Sequence, residues 1–216
     1  MRAIALPQLP QHLEPIHNFS SAILEDETLS RFIVSDQDIT GSVVKALSLS
    51  EAKLERVTAS AADFEKLTLS DILLTHCDVT AANCADAAWR RVQLVSVRCS
   101  GFRLQTSTLR DTVFEGCKLN LSNFRYSKLR NTRFIDCVLD EADFYNAVLE
   151  NVQFQGCSLE KTEFSAAKCK AVDLRGSQLS EVRGVQDLAG ATIDSLQLVT
   201  ISRLLASSLK IEVKDD

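Results

Sequence analysis

Ser122-Asn123-Phe124-Arg125-Tyr126-Ser127-Lys128-Leu129-Arg130-Asn131-Thr132-Arg133-Phe134-Ile135-Asp136-Cys137-Val138-Leu139-Asp140-Glu141-Ala142-Asp143-Phe144-Tyr145-Asn146 reads as five consecutive pentads. The third residue of each is large and apolar (Phe124, Leu129, Phe134, Leu139, Phe144), and the first is small (Ser122, Ser127, Thr132, Cys137, Ala142). Stepping outward by five in both directions, every position from Val34 to Leu179 is apolar, 30 in succession without a slip of phase. Nearly all charges fall on the other three positions of each pentad. A period of five fits neither the 3.6 of an α-helix nor the 2 of a plain strand, so a bend must reset the inward pattern once per repeat. Two inward residues and a corner, four times over, close a square coil of 20 residues. Such coils stack by parallel β-type hydrogen bonds about 4.8 Å apart, which predicts roughly 7 coils and a shaft of about 35 Å. Gly41, Gly101, Gly116, Gly156 and Gly176 all lie two residues after an apolar position, where a corner calls for positive φ. Pro7, Pro10 and Pro15 all precede the repeats, as a ladder that needs its N–H donors requires.

Units such as Ala62-Asp63-Phe64-Glu65-Lys66, Ser122-Asn123-Phe124-Arg125-Tyr126 and Ala142-Asp143-Phe144-Tyr145-Asn146 resemble those of the pentapeptide repeat family, over residues 34 to 184. The resemblance implies an all-β solenoid, a right-handed quadrilateral β-helix. The chain then divides into an irregular N-terminal cap (1–33), the β-helix (34–184) and a short C-terminal α-helix module (185–216). In that module Asp194 or Ser195 can cap a helix running to about Leu209, and Ile211 and Val213 can add a short strand. The apolar stripe Leu198, Ile201, Leu205 and Leu209 must bury, either on the last coil or in a homodimer interface.

Sorted by twenties, Phe64, Phe124, Phe144 and Phe164 share one face and Phe114, Phe134 and Phe154 the opposite one, so rings should stack up two sides of the shaft. Cys77, Cys117, Cys137 and Cys157 fall in one inward row. Stacked side chains stand wider apart than a disulfide's Cβ atoms, so this row reads as small buried hydrophobes. Seven cysteines without a Cys-x-x-Cys pair point to a reducing cytoplasm, with neither a disulfide framework nor a zinc site. No membrane span or export signal is visible. His12, His17 and His76 have no nucleophile placed to make a dyad, and Asp140 with Glu141, or Glu25, Asp26 and Glu27, read as solvated carboxylates. The expectation is therefore no enzyme, no cofactor and no metal. With 24 basic and 29 acidic residues the net charge is −5, which argues against direct nucleic-acid binding through a basic surface.

The tail from Leu188-Ala189-Gly190 to Leu209-Lys210-Ile211-Glu212-Val213 is similar to that of the Qnr and MfpA branch of the family. That resemblance implies a tail-to-tail dimer and binding, as a DNA mimic, to a type II topoisomerase (DNA gyrase or topoisomerase IV), with quinolone protection or regulation as the outcome. Carboxylates would then stand in for phosphates. The shaft is close to neutral as a whole. One face alone is acidic, carrying Asp38, Asp78, Asp140, Glu141, Glu160 and Glu181 against Arg98, Lys118 and Lys161. Of these, Asp78, Asp140, Glu141, Glu160 and Glu181 are the candidate partner-binding residues. The other reading is an interaction scaffold for an unrelated protein, which could use the basic row Arg90, Arg91, Arg110, Lys128, Arg130, Lys168 and Lys170.

Overall fold

The computed structural model describes residues 3–25 and 28–214; Asp26 and Glu27 lie outside them. The chain begins with β1 (Glu14–Pro15), α1 (Phe19–Glu25), β2 (Thr28–Ser30) and β3 (Phe32–Ser35). Six strands of equal length follow: β4 (Ser48–Glu55), β5 (Thr68–Thr75), β6 (Ala88–Val95), β7 (Thr108–Glu115), β8 (Lys128–Ile135) and β9 (Val148–Gln155). The shaft closes with β10 (Lys168–Lys170), β11 (Val172–Asp173), a 3-10 turn (Val185–Leu188), β12 (Ala191–Thr192) and α2 (Ser195–Ser208).

Every pairing is parallel, and from β2 to β10 each residue pairs with the one 20 further on: Leu49 with Leu69, Trp89 with Leu109, Phe114 with Phe134. The strands line two adjacent sides of the coil, bending at Glu51, Asp71, Arg91, Asp111, Asn131 and Asn151, all with positive φ. The other two sides are joined by single bridges, such as Val138 to Ser158 and Asn123 to Asp143. The left-handed corner recurs every five residues from Arg31 to Glu181, and glycine fills only five of these positions. Sequence alone located the corners through those glycines. The remaining corners hold non-glycine residues in the left-handed region, a cost the ladder on both sides outweighs.

The ladder is longer than the periodicity predicts. It runs from Glu14, paired with Phe32, to Thr192, paired with Asp173, so about nine turns stack over roughly 43 Å. Pro15 thus lies inside the ladder rather than before it. Glu14 donates its N–H to the Arg31 carbonyl and Ile16 to that of Ile33, so the missing N–H of Pro15 falls on the open edge, where no bond is lost. The N-terminal cap is also more regular than expected. Asn18 accepts from the Ser21 N–H and starts α1, whose Phe19 and Ile23, one turn apart, are buried, with the Phe19 ring 5.8 Å from Phe32.

Within the shaft, Phe124, Phe144 and Phe164 stack at 4.7 and 5.4 Å, Phe114, Phe134 and Phe154 at 4.9 Å, and the two columns meet edge to face. At several coils the small residue two places before the large one makes a repeated contact. Its hydroxyl or thiol donates to the carbonyl 23 residues earlier: Ser122 to Cys99 at 2.9 Å, Thr162 to Leu139 at 2.9 Å, Cys137 to Phe114 at 3.4 Å and Cys157 to Phe134 at 3.3 Å. Cysteine and serine are interchangeable here because each is a compact group with one donor.

At the C-terminal end Asp194 and Gln197 form a capping box, and the side-chain amide of Gln197 donates to the carbonyl of Leu174, again 23 residues back, and to that of Ser177. α2 therefore closes the shaft by supplying the donor that a further coil would have supplied. Its stripe divides: Ile201 is buried at 3% exposure and Leu205 half-buried, whereas Leu198 and Leu209 stand 51% and 70% exposed. Ile201 thus packs on this chain's own last coil and leaves the expected dimer face. No strand forms at 211–213, because the Ile211 N–H turns back to the Ala206 carbonyl and closes the helix end.

Candidate protein-binding surface

Ten residues along the chain is half a coil, so the acidic side carrying Asp140 and the basic side carrying Arg130 and Arg110 are opposite faces of the shaft. The five candidate carboxylates do not behave alike. Asp78 accepts from the Thr80 N–H and pairs with Arg98 at 2.8 Å, its carboxyl held below the usual range by those bonds against the opposing pull of burial. Asp140 accepts from the Ser158 hydroxyl at 2.5 Å and the Glu160 N–H at 3.0 Å, joining two coils. Both are fastened to the shaft, and Asp78 lies three coils from Asp140. Glu141, Glu160 and Glu181 stand out at one corner, with Lys161 between them at 3.5 Å from Glu160 and 3.9 Å from Glu181. The geometry gives a local acidic corner in the C-terminal half, not a continuous acidic line.

Next to that corner lies a cluster that hydropathy reading passes over. Leu121 and Tyr126, at the two corners bounding one side of the coil, are 59% and 48% exposed, and Val138 is exposed on the adjoining side. Between them the Arg125 guanidinium sits 4.4 Å above the Tyr145 ring and 5.7 Å from that of Tyr126, and binds the Asp143 carboxylate at 2.8 Å. The two rings meet edge to face at 5.8 Å. Leu121, Arg125, Glu141, Asp143, Tyr145 and Lys161 line one open groove along this side, reaching Glu163 and Arg183. Tyrosine and arginine held rigid beside an exposed aliphatic group are the composition of protein-binding hot spots. The signal was present in the sequence: the chain's two tyrosines lie one coil less one residue apart.

The basic row is partly engaged as well. Arg91 donates to both Asp71 carboxylate oxygens through Nε and Nη2, and Arg130 and Lys170 share Glu150 at 3.1 and 2.9 Å. All seven cysteines are free; burial pushes the Cys77 and Cys84 thiols up, and that of Cys169 to about 11. His12 and His17 lie exposed in the leader and His76 at a corner. Among the described residues no group of three His, Cys, Asp or Glu could hold a metal ion, and no helix is long and apolar enough to cross a membrane.

Residues 107–183 match the pentapeptide repeat region family. No curated protein matches the sequence. Among solved structures, full-length QnrB1, a plasmid-mediated fluoroquinolone resistance protein, is similar at 17% identity over 85% of this chain and 90% of that one, with a TM-score of 0.50. HetL, a pentapeptide repeat protein involved in heterocyst differentiation regulation from the cyanobacterium Nostoc sp. strain PCC 7120, aligns at 17% identity over 78% of this chain and 90% of its own, with a TM-score of 0.42. At such identities the QnrB1 likeness is one of fold. Residues 107–183 thus carry the pentapeptide repeat, and the same five-residue register and coiled parallel ladder continue on both sides of them.

Proposed function

We propose that the protein is a non-enzymatic, cytoplasmic binding rod that engages a type II topoisomerase, DNA gyrase or topoisomerase IV, through the C-terminal half of its shaft. The observation that carries this reading is the exposed corner of Glu141, Glu160 and Glu181 set against the Leu121, Arg125, Tyr126 and Tyr145 cluster. The carboxylates would meet a basic, DNA-binding surface, and the ring and aliphatic groups would supply contact area that phosphate mimicry alone lacks. The similarity in fold to a fluoroquinolone resistance protein supports the choice of partner. In this reading the rod is a homodimer through α2, whose exposed Leu196, Leu198, Val199 and Leu209 would be covered by a second copy.

The second reading, a scaffold for an unrelated protein, is favoured by the charge pairing that leaves the acidic side discontinuous. A gyrase supercoiling assay with and without ciprofloxacin separates the two. On the first reading the unmodified protein changes supercoiling or protects it from the drug, and reversal of the exposed Glu141, Glu160 and Glu181 to lysine abolishes the effect. No effect on either topoisomerase at any concentration would leave the scaffold.

A further inference from the structure

The cross-section of the shaft is fixed by its backbone. Each coil has four sides of five residues, the same left-handed corners and the same 20-residue register. A coil that carries smaller inward side chains therefore cannot contract, and the missing volume becomes a void. The inward residues of the coil 112–129 supply 31 side-chain heavy atoms. Those of the coil 52–69 supply 25 and those of 72–89 supply 27, ten fewer over two coils than two copies of 112–129 would give. The losses are specific. Ala59 stands in the column filled by Leu119, Leu139 and Leu159, and Cys84 in that of Phe64, Leu104, Phe124 and Phe144.

A cavity of about 60 Å³ lies at that level, lined by Leu54, Ala59, Phe64, Leu74, Val79 and Cys84 among others, with Phe19 of α1 at one end and Trp89 and Phe102 at the other. Residual exposure of the inward side chains marks the same place. Phe64 and Leu54 each retain 7%, whereas Phe124, Phe134 and Phe144 retain 0%. The lining is wholly apolar. A water molecule needs about 10–15 Å³ and two to four polar partners, so this space has room for water but nothing to hold it. Dry apolar cavities take apolar guests; one of about 150 Å³ accepts benzene or xenon, which sets the upper size here.

We propose that the cavity between α1 and Trp89 is a binding site for a small apolar molecule, smaller than benzene, held by dispersion alone. This is independent of any partner on the outside of the shaft. The test uses xenon as the probe on the full chain, with methyl NMR spectra recorded under xenon and under helium at equal pressure. The expected result is saturable shifts confined to the methyl groups of Leu54, Leu74 and Val79 and their neighbours, with those of Leu139 and Leu159 unmoved.

Ala59→Leu and Cys84→Leu each place in the cavity a residue that the same column already carries elsewhere, so the shaft has a proven place for it. Each should raise the melting temperature and remove the xenon shifts; either variant suffices if the other does not fold. Absence of saturable shifts in the unmodified protein would overturn the proposal. So would shifts that persist in a folded, cavity-filled variant, since xenon would then sit elsewhere.

Discussion

Truncation of one ring in the stacked column measures how much of the shaft's stability comes from the in-register aromatic ladder. Phe144 is fully buried, lies parallel to Phe124 at 4.7 Å and Phe164 at 5.4 Å, and meets Phe134 and Phe154 edge-on at 6.2 and 5.9 Å. Replacing a buried phenylalanine by alanine costs about 3–5 kcal/mol through lost transfer energy and the cavity left behind. The rigid backbone prevents collapse, and each aromatic pair adds about 0.5–1.5 kcal/mol beyond area. Phe144→Ala should therefore fall at or above the upper end, about 5 kcal/mol. Phe64 is the internal control. It occupies the same column, but its in-register neighbours are Val44 and Cys84, and it already borders a void. Phe64→Ala should cost about 3 kcal/mol, the lower end of the range. Urea unfolding followed by circular dichroism gives both values, and an unchanged m-value shows that the shaft still unfolds as one unit. Equal costs for the two variants would refute the reasoning, because ring stacking would then contribute nothing beyond burial.

Asp71 fastens the leader to the shaft, accepting the Gln8 N–H at 2.9 Å while bonded to Arg91. Burial pushes its carboxyl up, but the Arg91 and Gln8 bonds outweigh this and hold it below its ordinary 3.8. The attachment is therefore complete at neutral pH and lost as pH falls through the lowered value, so the protection of the Gln8 amide relative to its intrinsic exchange rate should fall only in acid below that ordinary value, and at all pH in Asp71→Ala, which has no acceptor. Gln197→Ala leaves the Ser177 carbonyl without its donor beneath α2 and the Leu174 carbonyl with only the Ser177 N–H, and should cost about 1–3 kcal/mol, read as early loss of helix signal on heating. Leu198→Arg with Leu209→Arg, both exposed, should turn the proposed dimer into a monomer of unchanged melting behaviour; sedimentation of the unmodified protein as a monomer at tens of micromolar would assign α2 to capping alone.

The inward half of the structure was legible because burial acts on each pentad separately: one large residue such as Phe134 and one small one such as Thr132 fix the side, the corner and the 20-residue register together. What the period does not carry was not legible. α1 rests on only two apolar residues, Phe19 and Ile23, too few for a helical pattern to stand out. Pro15 reads as a ladder breaker until the open edge beside it is known. Gln197 reads as a solvated helix residue, because its role depends on the Ser177 carbonyl, which the last coil leaves without a backbone donor. On the candidate surface, sequence placed Glu141, Glu160 and Glu181 correctly on the outside, but could not show that Asp78 and Asp140 are tied to the coils.

The same register governs the outer surface and limits what it can imitate. Eight ion pairs among the described residues join positions 20 apart, among them Arg31 with Glu51, Asp36 with Arg56, Lys45 with Glu65 and Asp71 with Arg91. Stacked coils bring such side chains about 4.8 Å apart, so a column of like charges repels along its length while alternating signs attract. A charged column on a β-helix is thus driven toward alternation, as at Glu141, Lys161 and Glu181, and loses the uniform sign that a DNA backbone presents. Imitation of a phosphate line would require in-register carboxylates held against their own repulsion. This shaft instead neutralises its sides and leaves charge at single corners, and Leu121, Tyr126 and Val138, three of its exposed apolar and aromatic groups, gather beside one of them, with Val43 exposed several coils away. Contact through such a patch is short-ranged and shape-dependent, so binding there should depend on salt far less steeply than phosphate mimicry would.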